Sequence, residues 1–330
     1  MQYNRMNEHM ERIFSYTITD ADAGKDIHEF LRGKKYSRHI LASMKPDKTA
    51  ILVNGVHEFM CYRLQTGDVL QTRVVDPVSS VNIRPAPVPF SVIYEDEDVL
   101  IVDKPAGQAI HPAISHPADT LANGLAWYYQ QQGIPFVVRC INRLDRDTTG
   151  LLIVAKNLVS ACVLEQDLLA RKIHRTYLAI AEGELSESGT IDLPIARKEG
   201  SLIERCVDPE HGDRAVTHFM RKEYYPPVAD TDNNFACRRN GFSLVQLKLE
   251  TGRTHQIRVH LSHSGHPLVG DTLYNPDFFR TPEDPIPEGL PMNRQALHSW
   301  QLDFTHPITG EAMHFEAPVP EDMRKLLRGD

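Results

Sequence analysis

Cysteine is scarce in this chain of 330 residues: there are five, an odd number, at Cys61, Cys140, Cys162, Cys206 and Cys237, and no two form a C-x-x-C pair. A disulfide framework and a cysteine zinc cluster are therefore not indicated, and the thiols read as reduced packing residues. Long apolar runs are missing too. No stretch of eighteen apolar residues occurs, and the opening M-Q-Y-N-R-M-N-E-H-M-E-R lacks the apolar centre of a secretion signal. The expectation is a soluble, cytoplasmic protein with no membrane partner. Neither the glycine fingerprint of a dinucleotide-binding turn nor a P-loop is present, which points away from redox and nucleotide-hydrolysing classes. Positive charge is in deficit, with 36 Lys and Arg against 44 Asp and Glu for a formal net charge of -8. Such a chain does not coat nucleic acid indiscriminately, because phosphate binding depends on clustered cations.

What positive charge there is comes in islands. Lys25 to Lys45 holds six Lys or Arg (among them Lys25, Arg32, Lys34, Lys35 and Arg38) against two acids, and Arg139 to Thr176 holds seven against four. Two basic islands in an acidic chain suit a polyanion bound at chosen places.

With 41% hydrophobic residues, the length accommodates one full-sized core and a small satellite domain. Residues 1–12 are polar and read as a loose tail. In the compact unit expected over 13–76, Asp26 to Leu31 and a segment capped by Ser37 (with Ile40, Leu41 and Met44) read as short helices. Ala50 to Val53 and Val69 to Val74 read as strands, with Asn54-Gly55 as a hairpin turn. Four prolines between Pro77 and Pro89 mark a stiff linker over 77–88, and a large domain is expected over 89–330. Within it, Ser91 to Gly107 reads as two strands around an acidic turn. Helices are expected from Asp119 or Thr120 to Gln132, and from an Asn157 cap to Arg171 with Leu164, Leu168 and Leu169 facing the core. Arg175 to Ala179 begins a strand, Val207 to Phe219 is a mobile loop feeding another, and Phe242 to Glu250 alternates as a strand does. Tyr224 to Asn240 and Asn275 to Asn293 read as surface excursions, and strands around Trp300 to Phe304 and Met313 to Ala317 close the domain.

The stretch Ile141 to Gly150, I-N-R-L-D-R-D-T-T-G, stands out. Asp145, Asp147, Arg143 and Arg146 lie between apolar runs, Phe136 to Val138 before and Leu151 to Val154 after. Two readings fit the residues alone: a solvated turn with local ion pairs, or a strand-loop-strand junction holding a catalytic carboxylate on rigid support.

The stretch resembles the H-R-L-D-x-x-T-S/T-G signature of the RluA-type pseudouridine synthases, in which the Asp after Leu is the catalytic carboxylate. That falls on Asp145, with Asn142 where the family has His; the Asn amide can still hydrogen-bond. Y-E-D-E-D-V-L-I-V-D-K-P-A-G (Tyr94 to Gly107) resembles the family's opening motif, and R-T-Y-L-A (Arg175 to Ala179) the motif whose tyrosine lies beside the target uracil. T-G-R-T-H-Q-I-R-V-H (Thr251 to His260) resembles the segment whose Arg pairs with the catalytic Asp, and H-P-L-V-G-D-x-x-Y (His266 to Tyr274) completes the set. The resemblance implies Asp145, Tyr177 and Arg258 as catalytic residues, with Arg143, Asn142, Arg253, His255 and Lys104 binding the substrate. It also implies an α+β fold with a central, mainly antiparallel sheet. S-R-H-I-L (Ser37 to Leu41), V-N-G (Val53 to Gly55) and L-x-x-G-D (Leu64 to Asp68) are similar to the small RNA-binding module first named in ribosomal protein S-four. Lys25, Arg32, Lys34, Lys35 and Arg38 would then contact RNA.

The resulting expectation is a monomeric isomerase, without cofactor or metal, that turns uridine into pseudouridine in structured RNA. Large-subunit ribosomal RNA is favoured by the N-terminal module and transfer RNA is the alternative. Two readings from other classes compete. A metallohydrolase on His255, His260, His263 and His266 is disfavoured, because spacings of five, three and three spiral around a helix axis. A non-catalytic RNA-binding protein is disfavoured by Asp145, Arg143, Tyr177 and Arg258 all being present.

Overall fold

A computed structural model of the chain describes residues 10–76, 83–113, 116–227, 241–278 and 292–328. The first unit is a four-stranded antiparallel sheet, in which β1 (Met10–Thr17) pairs with β4 (Val69–Asp76), and β4 with β2 (Ile51–Val53), which pairs with β3 (Val56–His57). The tail expected up to Arg12 is thus already strand from Met10. Phe14 is buried in this unit's core, and the Arg12 guanidinium anchors the strand by donating to Asp98 at 3.1 Å. Two short helices cover the sheet. α1 (Ile27–Gly33) starts at Asp26, whose carboxylate accepts from the Glu29 N–H at 2.7 Å, and α2 (Arg38–Met44) at Ser37, whose hydroxyl accepts from the Ile40 N–H at 3.2 Å. Asn54 and Gly55 have φ of 52° and 81°, the paired positive values that a tight two-residue hairpin turn needs.

The second unit is a nine-stranded sheet. β5 (Ser91–Glu95) and β6 (Val99–Lys104) lead to β7 (Thr149–Ala155), which lies beside β14 (Leu297–Thr305); β8 (His174–Glu182), β13 (Phe242–Leu249), β12 (Val216–Tyr225) and β9 (Ser188–Asp192) follow, and β15 (Ala312–Glu316) also pairs with β14. Every pairing is antiparallel except β7 with β14, so the expected mainly antiparallel α+β architecture is what the chain forms. All seven residues of β7 are buried, because both faces of the sheet are covered. On one face Leu100, Val102, Leu152 and Val154 pack with Leu121, Leu125 and Tyr129 of α3 (Leu121–Gln131), and with Ile257 and Leu261 of α5 (Gln256–His263). On the other, Val99, Ile101, Leu151 and Ile153 meet Leu164 of α4 (Leu158–Leu169). Each such side chain, fully buried, contributes about 1.5–3 kcal/mol of hydrophobic stabilisation.

Helix α4 belongs to both units. Its Val159 and Val163 complete the core of the N-terminal sheet, and Lys35 reaches Asp167 at 2.6 Å. Arg139 adds a bidentate pair to Asp76, 2.9 Å on each arm.

Several expectations need correction. Phe136 to Val138 is not a strand: Phe136 and Val138 are buried, but the segment makes no ladder until the single bridge of Cys140 to Val154. Leu169 is 84% exposed rather than in the core: Leu164 and Leu168 take the face turned to the sheet, and α4 ends at Leu169 on the other side. The loop expected after Val207 is short, folded back on the Asp208 carboxylate, which accepts from the N–H groups of Glu210 and His211 at 3.0 Å. Of the two excursions, 228–240 and 279–291 lie outside the described residues, as do 77–82 of the linker. Tyr224 and Tyr225, however, belong to β12, and Phe278 and Met292 are buried against the sheet. No helix among the described residues is long and apolar enough to cross a membrane.

Candidate active site

The loop carrying Asp145 leaves the core just before β7 and is pinned from behind. Lys104, at the end of β6, is fully buried, and its ammonium donates to the carbonyls of Arg146 (2.9 Å), Pro105 (2.8 Å) and Gln108 (3.0 Å). Arg294 donates to the Asp147 carbonyl at 3.2 Å and is itself clamped by Asp322 at 2.7 and 2.8 Å. Gly150, at φ 109°, lets β14 approach: a Cβ there would lie 2.2 Å from the Ser299 carbonyl oxygen. The loop is thus fixed by its own backbone carbonyls, leaving side chains free for chemistry.

Asp145 lines a cleft of about 640 Å³ together with Arg143, Tyr177, Arg253, His255 and Arg258. Arg258, on α5 and 6% exposed, donates through Nη1 to Asp145 Oδ2 at 3.1 Å. Oδ1 has no hydrogen bond among the described residues. From behind, the same guanidinium makes a bidentate pair with the fully buried Asp271, at 2.7 and 2.9 Å. Burial works against the arginine's charge, but the hydrogen bonds and charge attraction of Asp271 and Asp145 together outweigh it and hold the guanidinium above its ordinary range. The H-P-L-V-G-D-T-L-Y motif contains Asp271, yet nothing in its pattern says that this acid orients the arginine.

A second contact approaches from His255, whose backbone is left-handed at φ 57° and whose Nε2 lies 4.0 Å from Asp145 Oδ2. Its Nδ1 is 2.7 Å from the Tyr274 hydroxyl, which accepts from the Arg205 N–H at 2.8 Å. Burial lowers the His255 pKa, against the pull of Asp145, and raises Tyr274 to about 12. A neutral pair in which Tyr274 donates to Nδ1 puts the ring proton on Nε2, toward Asp145. The Tyr274 ring also lies under the Arg258 guanidinium, 4.9 Å from its centroid.

Tyr177, from β8, is 4% exposed and packed into the core, and it lines the same cleft. Its hydroxyl makes no hydrogen bond to a described residue. Arg143 is exposed at the cleft mouth. Arg253 donates to Asp213 at 3.1 Å and to the Arg214 carbonyl at 3.2 Å. Of the residues expected to bind substrate, Asn142 lines the cleft but is almost wholly buried, and Lys104 does not line it. All three donors of Lys104 serve loop carbonyls; burial pushes its pKa down to about 7, against Asp147 and Asp145. Asn142 is 2% exposed and accepts from the Ile153 N–H at 2.9 Å, so it braces the loop against β7; its Nδ2 finds no partner. Both were marked by their places in the family motifs, which do not report burial.

The N-terminal cations are largely engaged within the protein. Lys25 pairs with Asp22 at 2.8 Å, Arg32 donates to the Tyr36 carbonyl at 2.7 Å, and Lys34 lies 5.7 and 5.3 Å from the rings of Tyr16 and Phe30. Lys35, an expected RNA contact, is instead the tie to Asp167. Arg38 is exposed and pairs with no carboxylate among the described residues. The four histidines of the metallohydrolase reading do not converge. His255 meets Tyr274, His260 meets Thr217 and the Leu193 carbonyl, and His266 meets the Glu182 carbonyl.

Comparison with known proteins adds to this geometry. The family described as RNA pseudouridylate synthase matches residues 98–263, a span that includes Asp145, Tyr177 and Arg258. The chain is 38% identical over 295 residues to the uncharacterized RNA pseudouridine synthase YjbO of Bacillus subtilis, covering 89% of this chain and 95% of that one. It is 37% identical over 270 residues to ribosomal large subunit pseudouridine synthase D of Xanthomonas campestris, covering 80% and 76%. Among solved structures, human RNA pseudouridylate synthase domain containing 1 superposes with a TM-score of 0.53 at 27% identity, over 71% of this chain and 84% of that one.

Proposed function

The chain belongs to the RNA pseudouridylate synthase family, RluA type, and is an RNA-modifying isomerase; from that premise we propose that it converts specific uridines of large-subunit ribosomal RNA to pseudouridine, with Asp145 as the catalytic carboxylate. The single observation that supports this most is the Arg258–Asp145 contact at 3.1 Å, inside the cleft and held from behind by Asp271.

The reaction breaks the bond between ribose C1′ and uracil N1, turns the base, and joins C1′ to C5. N1 gains a proton and C5 loses one, so electrons balance without a co-reactant. Asp145, whose Oδ2 is occupied by Arg258, acts on the ribose through Oδ1, as a nucleophile or as a base toward a ribose proton. The target nucleotide must first leave its stack, because no side chain reaches the glycosidic carbon inside a helix. Tyr177 stacks on the flipped base, worth roughly 1–3 kcal/mol, and its unpartnered hydroxyl assists proton removal from C5. Arg143, exposed at the mouth, occupies the space the base vacates.

The N-terminal unit, residues 13–76, serves as an S-four-like RNA-binding domain, joined through 77–88 to a catalytic domain over 89–330. Two capped helices followed by a hairpin strand support that division. Ribosomal RNA as substrate rests on the printed name of the Xanthomonas relative. Mapping pseudouridines in total RNA from cells with and without the gene tests the proposal. Loss of one or more sites in large-subunit RNA is expected, loss in transfer RNA instead moves the substrate class, and no loss at all sinks the assignment.

A further inference from the structure

The chain is acidic overall, and many of its arginines sit against carboxylates, including Arg171 and Arg214 on Glu250 and Arg253 on Asp213 around the cleft itself. Arg143, Arg175, Arg197 and Arg205 form no ion pair with any described residue, and they lie together. Arg143 and Arg175 line the catalytic cleft; Arg143, Arg197 and Arg205 line a second groove of about 430 Å³ that adjoins it through Arg143, Gly252, Arg253 and Thr254. Unpaired cations repel one another and gain nothing from being clustered unless an anion joins them.

The wall of the second groove is a hairpin of β10 (Ile195–Arg197) and β11 (Arg205–Val207), and it is braced. Ile195 exchanges backbone hydrogen bonds with Asp213, 2.9 and 3.0 Å, and the backbones come so close that a Cβ on Gly212 would lie 2.8 Å from the Ile195 nitrogen. The Arg205 N–H donates to the Tyr274 hydroxyl, the same hydroxyl that meets His255 beside Asp145. Among the described residues the Arg205 side chain is engaged through Nη1 alone, on the carbonyls of Ile203 and Glu204 at 3.2 and 3.1 Å, which leaves Nε and Nη2 for a ligand. The groove is therefore preformed, positively charged and in register with the chemistry.

We propose that this second groove holds the phosphodiester backbone of the RNA strand as it leaves the catalytic cleft, with Arg197 and Arg205 as its phosphate ligands. The inference rests on the reading of the cleft as an RNA isomerase site. Apart from His211 the lining offers no ring on which a base can stack, so the contact is to backbone and independent of sequence.

The test compares wild type with R197A/R205A on an unmodified transcript of large-subunit ribosomal RNA, measuring affinity across a salt series and the single-turnover rate of pseudouridine formation at saturating RNA. Loss of two phosphate contacts should flatten the plot of log affinity against log salt by roughly 1.5 units and weaken binding by about tenfold or more at low salt. The single-turnover rate should stay within about twofold. R197K/R205K, which keeps the charge, should restore most of the slope, and this separates phosphate binding from a folding defect. An unchanged slope, or a lost rate with unchanged slope, overturns the inference. If wild type binds the transcript but makes no pseudouridine, the proposed substrate fails while the salt comparison still reads the groove.

Discussion

In the N-terminal unit Lys25 lies on Asp22, Lys35 on Asp167, Arg32 on a backbone carbonyl and Lys34 against two rings, whereas at the cleft Arg143 and Arg175 meet no carboxylate among the described residues. Both regions look basic in the sequence, and the N-terminal island has the larger local excess. An exposed ion pair cancels most of the field a cation would project, though it contributes only about 0–1 kcal/mol to stability. The count of cations in a segment therefore says less about RNA binding than the number left without an internal partner. By that measure Arg143 and Arg175 at the cleft, and Arg38 and Lys45 in the N-terminal island, are the cations left to meet phosphate among the described residues, whereas Lys25 and Lys35 are not.

The two regions should separate most widely under Asp145→Asn. The side chain keeps its shape and the arginines remain, so RNA affinity should stay within about tenfold while pseudouridine formation is abolished. Near wild-type isomerisation by that variant would remove Asp145 from the chemistry. Tyr177→Phe comes next. Ring area and stacking are retained and only the hydroxyl goes, so the expected loss is about a hundredfold or more in single-turnover rate with little change in affinity. A drop in affinity alone would assign the function to the ring and not to the hydroxyl.

A third contrast uses pH. In the N-terminal unit His28 and His39 are exposed and His57 is half-buried, but in the second unit His260 of α5 and His298 of β14 are fully buried. Burial lowers both, His298 from 6.5 to about 4. A histidine held neutral in the fold contributes stability that is complete above pH 6.5, where the unfolded chain is also neutral, and that is lost as pH falls toward 4. For His298 the loss amounts to up to roughly 3 kcal/mol. Unfolding of the whole chain, followed from pH 7.5 to 4.5, should show a steeper acid decline for wild type than for His298→Gln. Parallel declines would show that His298 does not set the acid limb.

How legible the protein was depends on what each residue needed to declare itself. Asp145 and Arg258 stand in ordered motifs, and the pairing those motifs imply is what the fold supplies. The caps Ser37 and Asn157, and Thr120 as one of two candidates, act locally, within three residues, and sequence captures them for that reason. Asp271 was out of reach, because its role appears only when the turn after α5 brings it against Arg258. Lys104 misled for the opposite reason: a lysine in a motif reads as a free cation until three carbonyls close around it. Phe136 and Val138 are buried, yet the segment is not a strand, since apolarity fixes burial and not a place in a sheet.

The smallest effect is also the sharpest test of the charge argument, because it compares two N-terminal cations three residues apart. Deleting the whole unit would be a poor experiment: Val159 and Val163 of α4 complete its core, and Arg139 would be left facing a missing Asp76. Point changes avoid this. Arg38 is exposed and has no ion pair among the described residues, so Arg38→Ala should weaken RNA binding a few-fold and lower the salt slope by about 0.7–0.9, the share of one phosphate. Lys35 is neutralised by Asp167, so Lys35→Ala should leave the slope within error and instead cost up to about 1 kcal/mol of folding stability. If the two substitutions lower the salt slope equally, Lys35 must let go of Asp167 to reach RNA, and pairing in the free protein would no longer predict which cations bind.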